Sequence, residues 1–155
     1  MNKREQFYHD KVLELIGNKE AHILVCGGGE TDKLVFETLV FRNVTISNLD
    51  SRLSEDRFSP FVWKYENAEA LSFPDESFDY VVIHAAIHHA SSPHKVLTEM
   101  YRTAKLGVLA FESRDSVIMR YLERKGLTET YESSAVYYND CKYGGVNNTA
   151  IPNYI

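Results

Sequence analysis

Apolar positions along this chain fall into two alternating rhythms. Tyr8, Val12, Leu15 and Ile16 recur at helical spacing. They predict an amphipathic first helix over about residues 3–16, stopped by Gly17-Asn18. Ile23-Leu24-Val25-Cys26 has no polar break, which suits a fully buried strand over about 22–26. Helical spacing returns over about 31–41, with Leu34, Val35, Thr38 and Leu39 predicted to face the core. Residues 44–50 alternate like a second strand and end on the acid Asp50. Residues 51–60 are polar, hold Pro60 and read as a loop, and 61–65 form a β-rich third strand. Turns fill most of 66–79, most clearly at Phe73-Pro74-Asp75, before an apolar fourth strand over 78–84.

The second half repeats the alternation. Ser91-Ser92-Pro93 opens a helix with serine at the cap and proline at the first position. Val96, Leu97, Met100, Tyr101 and Ala104 are its predicted buried face, Lys105-Leu106-Gly107 its end, and 108–112 a fifth strand. Val117, Ile118, Tyr121 and Leu122 mark a last helix, ended by Gly126. Strands alternating with helices predict an α/β fold with a parallel sheet covered on both faces. Right-handed crossovers then limit the topology to a doubly wound sheet. From about residue 128 no period emerges. Five of the ten tyrosines lie there, with Gly144-Gly145, and the stretch reads as a loop, a lid or the start of something that continues.

Composition narrows the function classes. At 155 residues the chain predicts one domain over 1–155, with 44% hydrophobic and 25% charged residues. A net charge of -5 gives no electrostatic footprint for nucleic acid, so no nucleic-acid partner is expected. No apolar run approaches the roughly 20 residues that span a bilayer, so no membrane partner is expected. The start, Met-Asn-Lys-Arg-Glu-Gln, lacks the apolar stretch of a secretion signal. Cys26 and Cys141 follow no pairing pattern and are expected to be reduced thiols in a cytoplasmic protein.

Candidate chemistry centres on Gly27-Gly28-Gly29, placed between the first strand and a helix. Such a turn lets a backbone approach a nucleotide-like ligand where a Cβ would block it. A dinucleotide rests its pyrophosphate on the following helix N-terminus. Here that helix opens with Glu30 and Asp32, which repel phosphate and favour a cation. The run therefore points away from NAD, toward a nucleoside cofactor with positive charge and no phosphate, as in S-adenosylmethionine. His84, His88 and His89 have the spacing H-x3-H-H, but no third ligand type gathers near them, so no metal is expected. One of them near neutral pKa could serve as a base, and capping or pocket lining is the plainer alternative.

Further landmarks follow in order. Asp50 ends the second strand, 67–79 reads N-A-E-A-L-S-F-P-D-E-S-F-D, and His88-His89 precedes Glu99-Met100-Tyr101-Arg102. With these, the stretch from Gly27 to Glu112 resembles the class I S-adenosylmethionine-dependent methyltransferases, closest to the type 11 or UbiE-like group. The resemblance implies a Rossmann-like, doubly wound parallel sheet of strand order 3-2-1-4-5 and S-adenosylmethionine as cofactor, held by Gly27, Gly28, Gly29, Asp50, Asn67, Ala68 and His84. Asp50 would accept both ribose hydroxyls, Asn67 the adenine amino group, and the Ala68 N–H would face the ring. Residues from His84 onward would line the wall near the reactive methyl, with His88 or His89 as the catalytic candidate.

The chain also departs from the family pattern. Val25 stands where an acid is usual, with Glu30 as its candidate replacement, Thr31 where a third glycine is usual, and Leu106 and Val108 in the lysine–proline–glycine–glycine turn. Family members add an antiparallel C-terminal hairpin. No pattern for it is visible, so the fold is expected to lack it: either the chain is truncated at its C-terminus, or the domain is incomplete and its edge is covered some other way. The expected activity is methyl transfer to a small-molecule acceptor. An inactive cofactor-binding or scaffold protein is the alternative, and an NAD reductase is disfavoured by Glu30, Thr31 and the lack of a Tyr-x-x-x-Lys set. Arg114 and Asp115 face substrate or form a surface pair. The late tyrosines line an acceptor pocket, pack, or join two copies in a homodimer.

Overall fold

The computed structural model describes residues 1–112 and 117–127. Strands β1 (Ile23–Cys26), β2 (Val44–Asn48), β3 (Val62–Tyr65), β4 (Phe78–His84) and β5 (Ala104–Phe111) form one sheet. Its order is β3-β2-β1-β4-β5 and every pairing is parallel, as the alternation predicts. The helices are α1 (Lys3–Leu15), α2 (Glu30–Thr38), α3 (Glu55–Phe58), α4 (Pro93–Thr103) and α5 (Val117–Arg124), with a 3-10 turn at Ile87–His89. Arg114, Asp115, Cys141, the segment from 128 and any C-terminal hairpin lie outside the described residues. No helix among the described residues is long and apolar enough to cross a membrane.

The unbroken apolar run of β1 has a simple cause. Ile23 and Val25 face one layer, built on Tyr8, Val12 and Ile16 of α1 and Val35 and Phe36 of α2. Leu24 and Cys26 face the other, built on Val96 and Met100 of α4. A central parallel strand buried on both faces has no position left for a polar residue.

Four expectations change. The stripe of α2 that faces the core is Asp32, Val35, Phe36 and Leu39, whereas Leu34 is 46% exposed and Thr38 is exposed as well. The helix is turned by about one residue from the reading above, because a polar Asp32 occupies the first position of the stripe. The helix before β5 does not end at Lys105-Leu106-Gly107. It stops at Thr103, and those three residues lie inside β5. That strand ends the described sheet at its β4 side, and its exposed positions accept polar residues. Tyr101 and Leu15, both expected on buried faces, are 71% and 52% exposed. The polar stretch 51–60 includes the short helix α3, which contributes Phe58 to the core.

Candidate functional site

Strand order turns at β1, which lies between β2 and β4. In an open parallel sheet the loops leaving such neighbouring strands run to opposite sides and leave a crevice at the carboxyl ends. A cleft lies there, lined among others by Gly27, Asn48, Asn67, Ala68, Ala86 and His89. One loop from each of the four strands β1–β4 contributes. The cleft thus gathers the predicted residues Gly27, Asn67, Ala68 and His89. Gly29 and Asp50 line an adjoining hollow, and Asn48 is common to both.

The three glycines do different jobs. Gly27 has φ +62, and a Cβ built on it would stand 2.6 Å from Ala86 Cβ. A Cβ on Gly28 would meet Ile46 Cγ2 at 2.7 Å and Val25 Cγ1 at 2.9 Å. Those two glycines are demanded by the fold itself. A Cβ on Gly29 would meet nothing within 4 Å. Gly29 therefore leaves open room that no protein packing uses.

The acid that organises this loop is Asp32. Its Oδ2 accepts the Gly29 N–H at 2.8 Å and its Oδ1 accepts the Tyr8 hydroxyl at 2.9 Å. Burial pushes the Asp32 carboxyl above its ordinary value, opposed by the Gly29 N–H and the Tyr8 hydroxyl. The same contact, with burial first, holds the Tyr8 phenol well above its own usual range. Glu30, the expected replacement for the missing acid, does not support the loop. It is exposed and pairs with Arg57 of α3.

Asn48 joins the first two loops. Its Nδ2 donates to Gly28 O at 2.9 Å and its Oδ1 accepts the Asp50 N–H at 3.0 Å. Asp50 holds Arg52 through both carboxylate oxygens, with Nε at 2.8 Å, and this pairing keeps its carboxyl below the usual range against partial burial. Asn67 Oδ1 accepts the Glu69 N–H at 2.9 Å, so one lone pair of the amide oxygen already closes its own turn. Glu69 Oε1 in turn accepts the N–H groups of Ser91 and Ser92 at 2.6 and 3.2 Å, tying this loop to the start of α4.

The signature after the third strand is anchored from α4. Arg102 donates to Leu71 O at 3.0 Å, Phe73 O at 2.8 Å and Asp75 Oδ1 at 2.7 Å. Glu99 accepts the Leu71 N–H at 2.8 Å and holds Arg102 at 2.7 Å. Glu99 and Arg102 thus hold the loop that carries Asn67 and Ala68, and do not line the cleft.

At the end of β4 the histidines part company. The His84 ring lies in the α1 layer, stacked on Tyr8 at 4.3 Å between centroids, and lines a second cleft with Phe111 and Glu112. Burial lowers its pKa, opposed by the Asp32 charge. Ala85 then takes φ +52, a conformation rare outside glycine, and the chain folds over Gly27. Glu112 secures that turn: its Oε1 accepts the Ala86 and Ile87 N–H groups at 2.7 and 2.6 Å, and its Oε2 meets His88 Nδ1 at 2.9 Å. His88 is only 4% exposed. Of the two adjacent histidines, His89 is the one that lines the cleft.

Sequence reasoning missed Asn48, Asp32 as the loop acid, Tyr8 and Glu112. Asp32 alone left a trace, as a polar residue at a helix position spaced for the core. Among the described residues no group of three or more His, Cys, Asp or Glu side chains is placed to hold a metal ion.

Comparison with known proteins identifies the family and the fold. Residues 24–111 match the family described as "Methyltransferase domain". The ubiquinone/menaquinone biosynthesis C-methyltransferase UbiE of Zymomonas mobilis is 32% identical over 112 residues, which cover 66% of this chain and 46% of that protein. A demethylmenaquinone methyltransferase of Anoxybacillus flavithermus is 38% identical over 58 residues, 37% of this chain and 24% of that one. The chain therefore spans less than half the length of these relatives. Among solved structures, YcgJ from Bacillus subtilis superposes with a TM-score of 0.60 at 18% identity, over 80% of this chain and 58% of that chain. PH0226 from Pyrococcus horikoshii gives 0.63 at 18% identity, over 84% and 66%. At that identity these structures speak for the fold.

Proposed function

Because this chain belongs to the methyltransferase-domain family, we propose that it binds S-adenosylmethionine and transfers its methyl group to a small-molecule acceptor. The carrying observation is the cleft at the strand turnover, where Gly27, Asn48, Asn67, Ala68 and His89 from four loops line one space. The residues fit the cofactor. Open room at Gly29 admits close approach of a ligand chain, and the Asp50 carboxylate offers acceptors to a ribose diol beside it. Asn67 and Ala68 supply amide groups for an adenine ring. The cations beside the loop, Arg52 and Arg57, are paired with Asp50 and Glu30.

The cofactor, when bound, supplies a methyl group on a positively charged sulfur. The protein must align the acceptor with it and take up any proton released. The Gly29 hollow, Asp50, Asn67 and Ala68 would hold the cofactor while that methyl passes to an acceptor atom, the electron pair of the broken carbon–sulfur bond staying on sulfur. An acceptor carbon or hydroxyl then loses a proton, and His89 is the candidate to receive it. His88, buried against Glu112, shapes the wall instead. Relatives named for ubiquinone/menaquinone C-methylation support a ring carbon of a reduced quinone as the acceptor. Family membership and these methyltransferase relatives support catalysis over an inactive scaffold.

The test is transfer of labelled methyl from S-adenosylmethionine to chemically reduced demethylmenaquinone by the purified chain. Transfer that Asp50→Ala lowers about tenfold or more through KM for the cofactor, and His89→Gln lowers through kcat, is expected. Labelled product made equally well by Asp50→Ala would contradict the site.

A further inference from the structure

Tyr8 and Asp32 place a hydrogen bond inside the α1 layer of the core. Tyr8 is 0% and Asp32 4% exposed, beside the half-buried His84 ring. Polar groups are expensive to bury, and apolar residues of similar size often serve stability as well or better. What the pair does is geometric. Tyr8 projects from α1, the first helix, and its ring is fixed by the stack on His84 and by edge contacts with Phe111 at 5.0 Å and Phe36 at 6.5 Å. Its hydroxyl holds one carboxylate oxygen of Asp32, and the other oxygen holds the N–H of Gly29. Gly29 is the one glycine of the three whose free space faces no protein atom. A continuous chain of contacts therefore runs from Tyr8 of α1 through Asp32, 24 residues on in sequence, to Gly29 in the hollow that adjoins the cleft.

We infer that Tyr8 and Asp32 are positioning residues that couple the seating of α1 to the cofactor affinity of the glycine loop. The inference rests on the reading of the cleft as an S-adenosylmethionine site. With α1 seated, the Tyr8 hydroxyl fixes the rotamer of Asp32, and Asp32 fixes the Gly29 peptide so that the floor is open. With α1 displaced, the carboxylate loses a donor, the Gly29 peptide is free to turn, and the floor is no longer preorganised. Coupling of this kind is reciprocal, so cofactor in the cleft must in turn hold α1 in place. Helix α1 then belongs to the cofactor site, although it lies in the layer opposite α4 and lines a different cleft.

The experiment has two arms. The first is hydrogen exchange of the α1 amides in the wild-type chain, with and without saturating S-adenosylmethionine. The second is calorimetric affinity for S-adenosylmethionine and S-adenosylhomocysteine in wild type, Tyr8→Phe and Asp32→Asn, with thermal midpoints as a folding control. Tyr8→Phe keeps the ring and its stack and removes one oxygen. The expected result is slowed α1 exchange on cofactor binding in the wild type, lost in Tyr8→Phe. Both affinities should fall together about tenfold, in line with loss of a hydrogen bond to a charged group. Equal loss for the two ligands marks a geometric effect, since they differ in the charge at sulfur. Wild-type α1 exchange indifferent to bound cofactor would overturn the coupling, as would a Tyr8→Phe affinity within twofold of wild type. No binding of either ligand by the wild-type chain would instead sink the S-adenosylmethionine reading, and the coupling with it.

Discussion

Gly27 and Gly29 stand two positions apart and answer to different constraints. At Gly27 a methyl group meets Ala86 at 2.6 Å and the backbone has φ +62, so Gly27→Ala should destabilise by about 1–3 kcal/mol. At Gly29 the backbone is extended and the space is open. Gly29→Ala should leave the thermal midpoint within experimental error and still weaken S-adenosylmethionine binding. Chemical denaturation and calorimetry on the two variants separate the roles, and equal destabilisation by both would refute the distinction. The sequence reading treats the run as one ligand-binding turn, because three identical letters carry no trace of which neighbour crowds which glycine. Cys26 was legible as a structural thiol. Burial pushes it up to about 12, so iodoacetamide should label it only after unfolding.

At the scale of elements, loops are held by residues from elsewhere in the chain. Glu112 at the end of β5 secures the turn after β4, including the residue in positive φ. Glu112→Gln replaces one acceptor oxygen by a donor and should loosen the 85–89 wall, raising KM for the cofactor about fivefold. Unchanged KM in steady-state kinetics would count against that role. Glu99 and Arg102 do the same for the 71–75 segment. The hydrogen bond from Arg102 lowers the Glu99 carboxyl below its ordinary value, helped by the Leu71 N–H and opposed by burial. A carboxyl depressed by folding stabilises above its unfolded pKa, and that contribution fades as pH falls through the folded pKa. The gap in thermal midpoint between wild type and Glu99→Gln should therefore be full near neutrality and close in acid. A gap that widens in acid would contradict the assignment. The sequence showed Glu99 and Arg102 as landmarks, but helical spacing gives no hint of the loop across which they bond. It ended the second strand on Asp50, whereas β2 stops at Asn48 and Asp50 lies two residues beyond, and it could not show Arg52 beside it.

Over the whole molecule, the sheet was readable because each strand is a short apolar run between turn signals, and parallel strands need the intervening helices. The strand order followed from handedness and resemblance together. The helix faces were less readable, as α2 shows, because one buried acid rotates the apparent stripe. Gly27, Asn67, Ala68 and His89 were named for the cleft they line, but the two separate clefts were not readable. They depend on which side of β4 each residue faces, and His84 and His89 fall on opposite sides although one motif holds both. Gly27, Asn67 and His89 line one cleft at the sheet's carboxyl edge, and Tyr8, His84 and Phe111 line the other.

The central claim is that the cleft between the ends of β1 and β4 is built for S-adenosylmethionine. The most direct test is titration calorimetry of the intact chain with S-adenosylmethionine, S-adenosylhomocysteine and NAD. The account predicts saturable one-to-one binding of the first two, weakened by Asp50→Ala, and no binding of NAD. Absence of heat from both adenosyl ligands, or tighter binding of NAD, would contradict it.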